Sequence, residues 1–355
     1  MKGFCKVVVR PAHHERSRPA HHERLRQTHH ERFFVLRLIL FCCLLSLPSD
    51  LFAATWIYTA NEGDGSISIV DADSGERKTL PGLRGPHNIH MGPDGMLYLT
   101  DGPANQAVKV DPQKLRILER WAVGRGPAHV VMTPDKKLLL ITNSDSGDLT
   151  ITDAASLATV ATIPIGRTPH GIALSPDGRF AYIANLGSRD LAIFDVEARA
   201  LVGSVPLEDA AVQAWVDPQG RFVYVTGSGT SQIFKIDAAS RQVVARIPVG
   251  KRPAQIGVSP DGKFVISCDQ EAGELTIIDA ATDRVVRHLS LGKWTHGLSF
   301  SSNGKQVYVT NTRSNDISIV DLSTLTEVKR VTVGKRPNGI AASYPNSFIS
   351  PGGRP

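Results

Sequence analysis

From Tyr58 almost to its end, the chain alternates apolar and polar residues in short bursts that come in fours. In residues 169–207, Ile172–Ser175, Phe180–Ala184, Leu191–Phe194 and Leu201–Leu207 each read as a strand of period-two alternation. Turn formers separate them: Pro176-Asp177-Gly178, the polar stretch Gly187–Arg189, and Asp195. The Asp-Gly pair suits a hairpin because glycine accepts positive φ without a Cβ clash. No stretch carries a helical period. The second strand of each unit ends in a recurring phrase: YTAN (Tyr58–Asn61), YLTD (Tyr98–Asp101), LITN (Leu140–Asn143), YIAN (Tyr182–Asn185), YVTG (Tyr224–Gly227), ISCD (Ile266–Asp269) and YVTN (Tyr308–Asn311). The first interval is 40 residues and the other five are 42, a period that marks stacked or radially arranged units.

Seven units of four strands predict an all-β fold, a seven-bladed β-propeller of four-stranded antiparallel blades. The phase of the repeat predicts how the ring closes. The body opens with a second strand, Trp56–Ala60, and its last complete strand, Gly339–Ser343, is a first strand. One blade should therefore mix three N-terminal strands with one C-terminal strand, which removes exposed edges. The propeller is expected over 55–345, with 346–355 a flexible tail. An aspartate closes every third strand: Asp71, Asp111, Asp153, Asp195, Asp237, Asp279 and Asp321. Each precedes turn residues, so a side chain bonding its local backbone explains all seven without catalysis.

The formal charge of +6 belongs mostly to the first 53 residues, which hold nine Lys/Arg against four acids. The remainder has 31 basic and 30 acidic residues, so a field that would draw nucleic acid or anionic membrane to the whole body is not supported. Residues 1–32 contain a tandem octapeptide with His pairs at 13–14, 21–22 and 29–30. It reads as low-complexity sequence, translated upstream of the native start, in preference to a metal-binding His tract. Residues 33–54 read as a secretory signal: an apolar run after basic residues, ending in Ala53-Ala54, and short for a membrane span. An uncleaved anchor is the alternative. Cleavage would leave Cys268 as the sole cysteine, in a slot filled elsewhere by Ala or Thr, and hence a buried strand residue. The expected location is periplasmic or secreted, with no membrane span in the mature chain and a monomeric state.

YVTN (Tyr308–Asn311), SIVD (Ser318–Asp321), IPVG (Ile247–Gly250), GIALSPDG (Gly171–Gly178) and GVSPDGK (Gly257–Lys263) resemble the YVTN-repeat β-propeller family across 55–345. That family includes exported and surface-layer propellers, periplasmic YncE-type propellers with reported DNA binding, and relatives of the haem d1 propellers. The d1 propellers have eight blades where seven are counted here. Residues Gly85–Asp101 also look like the streptogramin lyases, although no His-x-Glu-x-His-like cluster accompanies them.

Candidate chemistry lies where the repeats differ. In a propeller the loops before each first strand open on one face around the central channel. Aligning the units there brings together His87, His129, His170, His296, Gln213, Gln255 and Asn338. Just before them stand Arg84, Arg125, Arg167, Lys251, Arg252, Lys293 and Lys335. The pattern predicts a channel mouth of imidazoles and amides inside a basic collar, suited to an anionic small molecule or a protein partner. Imidazole also suits a metal or haem iron, although no cofactor is assigned on this pattern. His129 falls one position later than His87, His170 and His296, so alternation sends it to the opposite strand face. In the fourth unit Glu208-Asp209 replaces the cation and Trp215 replaces a small residue, which reads either as an acidic sector of the mouth or as local packing. No nucleophile elbow or phosphate loop is present. A binding protein without turnover is therefore expected. The alternatives are a lyase-like or cofactor-handling enzyme using His170, His296 and a loop acid such as Asp145 or Glu271, and a single-stranded DNA binder using the collar.

Overall fold

The computed structural model describes residues 55–343. The octapeptide, the signal segment and the C-terminal tail lie outside the described residues. Numbered in chain order, 28 strands form seven four-stranded antiparallel sheets among the described residues. The blades take their first, innermost strands from β4 (Pro86–Met91), β8 (Pro127–Met132), β12 (Pro169–Leu174), β16 (Ala211–Val216), β20 (Pro253–Val258), β24 (Thr295–Phe300) and β28 (Pro337–Ala342). We number blades 1 to 7 in that order. Each inner strand touches the inner strand of the next blade, and β28 touches β4, so the ring is closed. The only helical element among the described residues is a single turn, Gly102–Ala104.

Blade 7 pairs β28 with β1 (Trp56–Asn61), followed by β2 (Ser66–Asp71) and β3 (Arg77–Pro81), the closure that the phase of the repeat predicts. Ser343 clasps the seam: its N–H donates to Trp56 O at 2.8 Å, and its Oγ accepts from the Trp56 N–H at 2.9 Å.

Burial follows position in the blade. The second strand of blade 6, Gln306–Asn311, is buried at every residue but its first, because neighbouring blades cover both of its faces. The outermost strand of that blade, Thr326–Thr332, alternates exposed and half-buried residues. Core clusters straddle adjacent blades; Tyr182, Leu191 and Ile193 of blade 3 pack with Val216, Val223 and Phe234 of blade 4. Cys268 is fully buried as a small strand residue, and burial holds its thiol protonated.

The recurring polar residues hold this frame. Each third-strand aspartate accepts local backbone N–H groups, as Asp71 does from Asp73 and Ser74 and Asp321 from Ser323 and Thr324. The Asn of the repeat phrase ties strand ends together: Asn143 donates to Asp148 Oδ1 at 2.6 Å and Thr150 Oγ1 at 2.8 Å. The Thr before it latches one blade to the next. Thr100, Thr142, Thr226 and Thr310 donate to the carbonyls of Ala128, His170, Ala254 and Asn338, each on the following inner strand.

The inner strands begin earlier than alternation places them, five of them at a proline and the others at Ala211 and Thr295, because each is bulged. In blade 1, Pro86 pairs with Asp101 and Ile89 with Leu99, so three steps on one strand face two on its neighbour. The same shift occurs in all seven blades. A bulge of this kind breaks the two-residue alternation and re-aims side chains. The inner strands also approach closely: a Cβ on Gly339 would lie 2.8 Å from Asn88 Cα and 2.9 Å from His87 O.

Candidate functional site

The bulged starts of the inner strands aim four histidines at the axis. His87 sits on β4, His129 on β8, His170 on β12 and His296 on β24. The His87 ring lies 5.3 Å from that of His170, 5.9 Å from His129 and 6.4 Å from His296, and the His129 and His170 rings are 4.8 Å apart. The expectation that His129 points away from the others is therefore wrong. The bulge between Pro127 and Val130 absorbs its one-residue offset and turns the ring back into the cluster. His90, three residues along β4, does not join; its Nε2 is buried without a partner among the described residues, and burial presses its pKa down to about 4.

Hydrogen bonds fix much of the arrangement. His170 Nδ1 lies 3.0 Å from Val212 O; a carbonyl can only accept, so Nδ1 carries the proton and Nε2 the lone pair. That Nε2 lies 3.2 Å from His87 Nε2. Asn338 Nδ2 lies 3.0 Å from His87 Nδ1, and Glu62 Oε1 3.6 Å from the same nitrogen. The Thr142 latch positions two of the histidines through their backbones: it receives the His129 N–H at 3.1 Å and donates to His170 O at 2.6 Å.

Burial keeps three of the four rings neutral. Desolvation first, then the neighbouring rings, lower His170 and His296 to about 3 and hold His129 well below the ordinary imidazole range. Glu62 is lowered chiefly by its hydrogen bond to His87, with the Arg336 guanidinium adding to it. Two amide oxygens, Gln213 Oε1 and Asn338 Oδ1, and two ring nitrogens, His129 Nε2 and His296 Nδ1, have no hydrogen-bond partner among the described residues. A cleft of about 170 Å³ leads down to the cluster, with Glu62, His87, His170 and Ser144 among its walls.

The other predicted residues separate into two layers. Gln255 is buried on β20, as Gln213 and Asn338 are on their own inner strands. Arg84, Arg125, Arg167, Lys251, Arg252, Lys293 and Lys335 are all exposed, and none forms an ion pair among the described residues. The backbone N–H groups of several bond across the loops, Arg84 to Asp101, Arg167 to Ser188 and Lys335 to Asp64, while their side chains face solvent. Beside this collar, Gly63, Trp294, Arg313, Lys335 and Arg336 line a larger cleft of about 600 Å³. The Arg313 guanidinium stacks over Trp294 at 3.5 Å, with Arg252 at 5.5 Å.

The discordant fourth blade does not present an acidic sector. Asp209 is buried and accepts the N–H groups of Ala210, Gly229 and Thr230 and the Thr230 hydroxyl, while Glu208 pairs with Arg246 at 2.7 Å. Trp215 packs against the core cluster shared by blades 4 and 5. Glu62 is the site residue that repeat reasoning missed. It follows the motif residue Asn61, where the other units have Gly102, Ser144, Leu186, Ser228, Gln270 and Thr312. A single acid in that column was a readable signal.

A family profile described as a YncE-like β-propeller matches residues 59–300, most of the body. The chain belongs to the YncE-like β-propeller family. No curated protein matches it in sequence. Among solved structures it is similar to hydrazine synthase of Kuenenia stuttgartiensis at 23% identity and TM-score 0.68, over 76% of this chain and 90% of that one. The dihydro-haem d1 dehydrogenase NirN, in complex with DHE, aligns at 19% identity and TM-score 0.63, over 85% of this chain and 78% of that one. Apo AztD from Citrobacter koseri aligns at 14% and TM-score 0.64, over 82% and 98%. At these identities the likenesses establish the shared fold, which hosts different activities. No helix among the described residues is long and apolar enough to cross a membrane.

Proposed function

We propose that this YncE-like propeller is an exported binding protein, without turnover, whose channel mouth takes an anionic small molecule or an acidic segment of a protein partner. The observation that carries this reading is the collar. Seven exposed cations surround the axis on one face, none neutralised by a carboxylate among the described residues, beside a cleft holding Trp294, Arg313 and Arg336. Charged donors of this kind recognise carboxylate and phosphate, and a planar guanidinium stacked on an indole is pre-organised for it. Export rests on the secretory pattern of residues 33–54.

The test is a titration of the chelator-treated protein with citrate and with inorganic phosphate, followed by Trp fluorescence and calorimetry. Binding that is lost in Arg313→Ala plus Lys335→Ala supports the reading; no binding of either anion, or binding untouched by the two substitutions, sinks it. A single-stranded oligonucleotide is the comparison arm. Tight oligonucleotide binding with a steep loss as salt rises would replace the small-anion reading with a nucleic-acid one. Cell fractionation tests export, and recovery in the cytoplasm would refute it.

A further inference from the structure

The unpartnered amide oxygens of Gln213 and Asn338 can only accept, and so can His170 Nε2, so the anion that suits the collar does not satisfy them. Imidazole lone pairs and amide oxygens facing one another call for a cation. We propose that His87, His129 and His170 form a site for a first-row divalent metal ion, with zinc the best match to its geometry, and with the fourth position open to the channel mouth. This inference rests on the histidine cluster alone and is independent of the anion reading.

The distances carry it. One ring nitrogen from each of the three histidines lies within 4.8 Å of the other two. With Zn–N bonds of about 2.0–2.1 Å, tetrahedral ligand nitrogens stand about 3.3–3.4 Å apart. His87 Nε2 and His170 Nε2 are already 3.2 Å apart. His129, 96% buried and with an unpartnered Nε2, needs to close by at most about 1.5 Å to complete the face of the tetrahedron.

The surrounding groups are those that metal-bound histidines use. A ligating imidazole donates its second N–H to a carbonyl or carboxylate, which fixes the ring and raises its basicity. His170 already does so to Val212 O. His87 Nδ1 faces the Glu62 carboxylate at 3.6 Å and the Asn338 amide, whose oxygen has no partner and would accept from Nδ1 after a half-turn of the amide. Three imidazoles and no thiolate select zinc, copper or nickel over magnesium or calcium. Three protein ligands with a free fourth position define an open site that can take water or a further ligand from the cleft.

The experiment uses the full, untagged chain, stripped with chelator and titrated with zinc alone against a chromophoric competitor. The His pairs at 13–14, 21–22 and 29–30 are present in every sample, so the measured quantity is the difference between proteins. Parent and His288→Ala, on an outermost strand, should bind the same number of zinc ions, and His129→Ala plus His170→Ala one fewer. Glu62→Gln should keep the site but weaken it about 10- to 100-fold. Cobalt in the parent should give the strong visible bands of a four-coordinate site, absent from the double variant. Equal zinc binding by parent and double variant overturns the proposal. If the double variant does not fold, the cobalt spectrum of the parent decides, and weak octahedral bands alone overturn it. Either outcome leaves the anion test in chelator unaffected, so the two readings fail separately.

Discussion

Replacing Asp269 by asparagine should stabilise the protein at pH 7.5 and leave its stability nearly unchanged near pH 4. Asp269 ends the second strand of blade 5 and is fully buried. Desolvation, with the neighbouring Glu274 adding to it, lifts its carboxyl from 3.8 to about 6, against the hydrogen bonds from Thr276, Ser267 and Gly250 that favour the charged form. Between those two pH values the folded state holds a proton that the unfolded state has lost. Stability therefore falls as pH rises from about 3.8 to about 6, and the whole cost, about 3 kcal/mol, is present above that window. Sister blades show what asparagine does in this place: Asn311 donates to Asp316 and Ser318 and receives the Gly292 N–H. The amide introduced by Asp269→Asn would likewise donate to Glu274 and Thr276 and remove a like-charge pair. After subtracting about 1 kcal/mol for charge-assisted hydrogen bonds that become neutral, the gain is about 1–3 kcal/mol, or roughly 2–6 °C in Tm for a protein of this size. The assay is thermal unfolding of parent and variant at half-unit steps from pH 4 to pH 8. A gap that is the same at both ends, or a variant less stable at pH 7.5, would refute the reasoning, because it would mean that Asp269 is comfortably ionised in the fold.

Three further outcomes follow from particular contacts. Lys235 is 7% exposed, pairs with Asp283 at 2.7 Å and lies over the Phe222 ring at 4.4 Å. Lys235→Ala should cost about 2–4 kcal/mol in urea unfolding, and Lys235→Met should recover most of it because the stem still fills the space; equal losses would contradict this. His90 is held neutral with a pKa of about 4, so its contribution is complete above pH 6.5 and is lost as pH falls toward 4. His90→Leu should remove up to about 3 kcal/mol of that acid sensitivity, read from the Tm-versus-pH slopes of the two proteins. Deleting residues 337–355 takes away β28 and exposes both β1 and the inner faces of blades 1 and 6. The truncated protein should lose its single cooperative melt and associate in size-exclusion chromatography, whereas a monomer with an unchanged melt would show that the mixed blade is dispensable.

The frame was legible because each blade repeats the same requirements. A second strand pressed between neighbours must be largely apolar, and the hairpin before it needs a turn former, as Asp177-Gly178 provides, so repetition averages out local ambiguity. The closing seam was legible from phase alone, since Trp56 and Ser343 belong to complementary strands of one unit. The candidate site was legible as a set of residues but not as a geometry. Alternation is a rule for an unbroken ladder, and every inner strand breaks it at the point where the site lies, so the facing of His129 could not be read from its number. Asp209 shows the opposite error: a charge that stands out among the repeats was consumed by the N–H of Ala210 beside it and by those of Gly229 and Thr230 in the loop after the second strand of the same blade. The remaining information is circular. His87 meets His170 two blades onward, and on its other side it meets Asn338 and Glu62 of blade 7, where β1 and β28 pair. The Asn338 contact exists only when the ring is closed, so blade 7 is at once the seam that completes the fold and the wall that completes the site. A mutation that loosens the seam should therefore disturb the environment of His87 before it unfolds the protein.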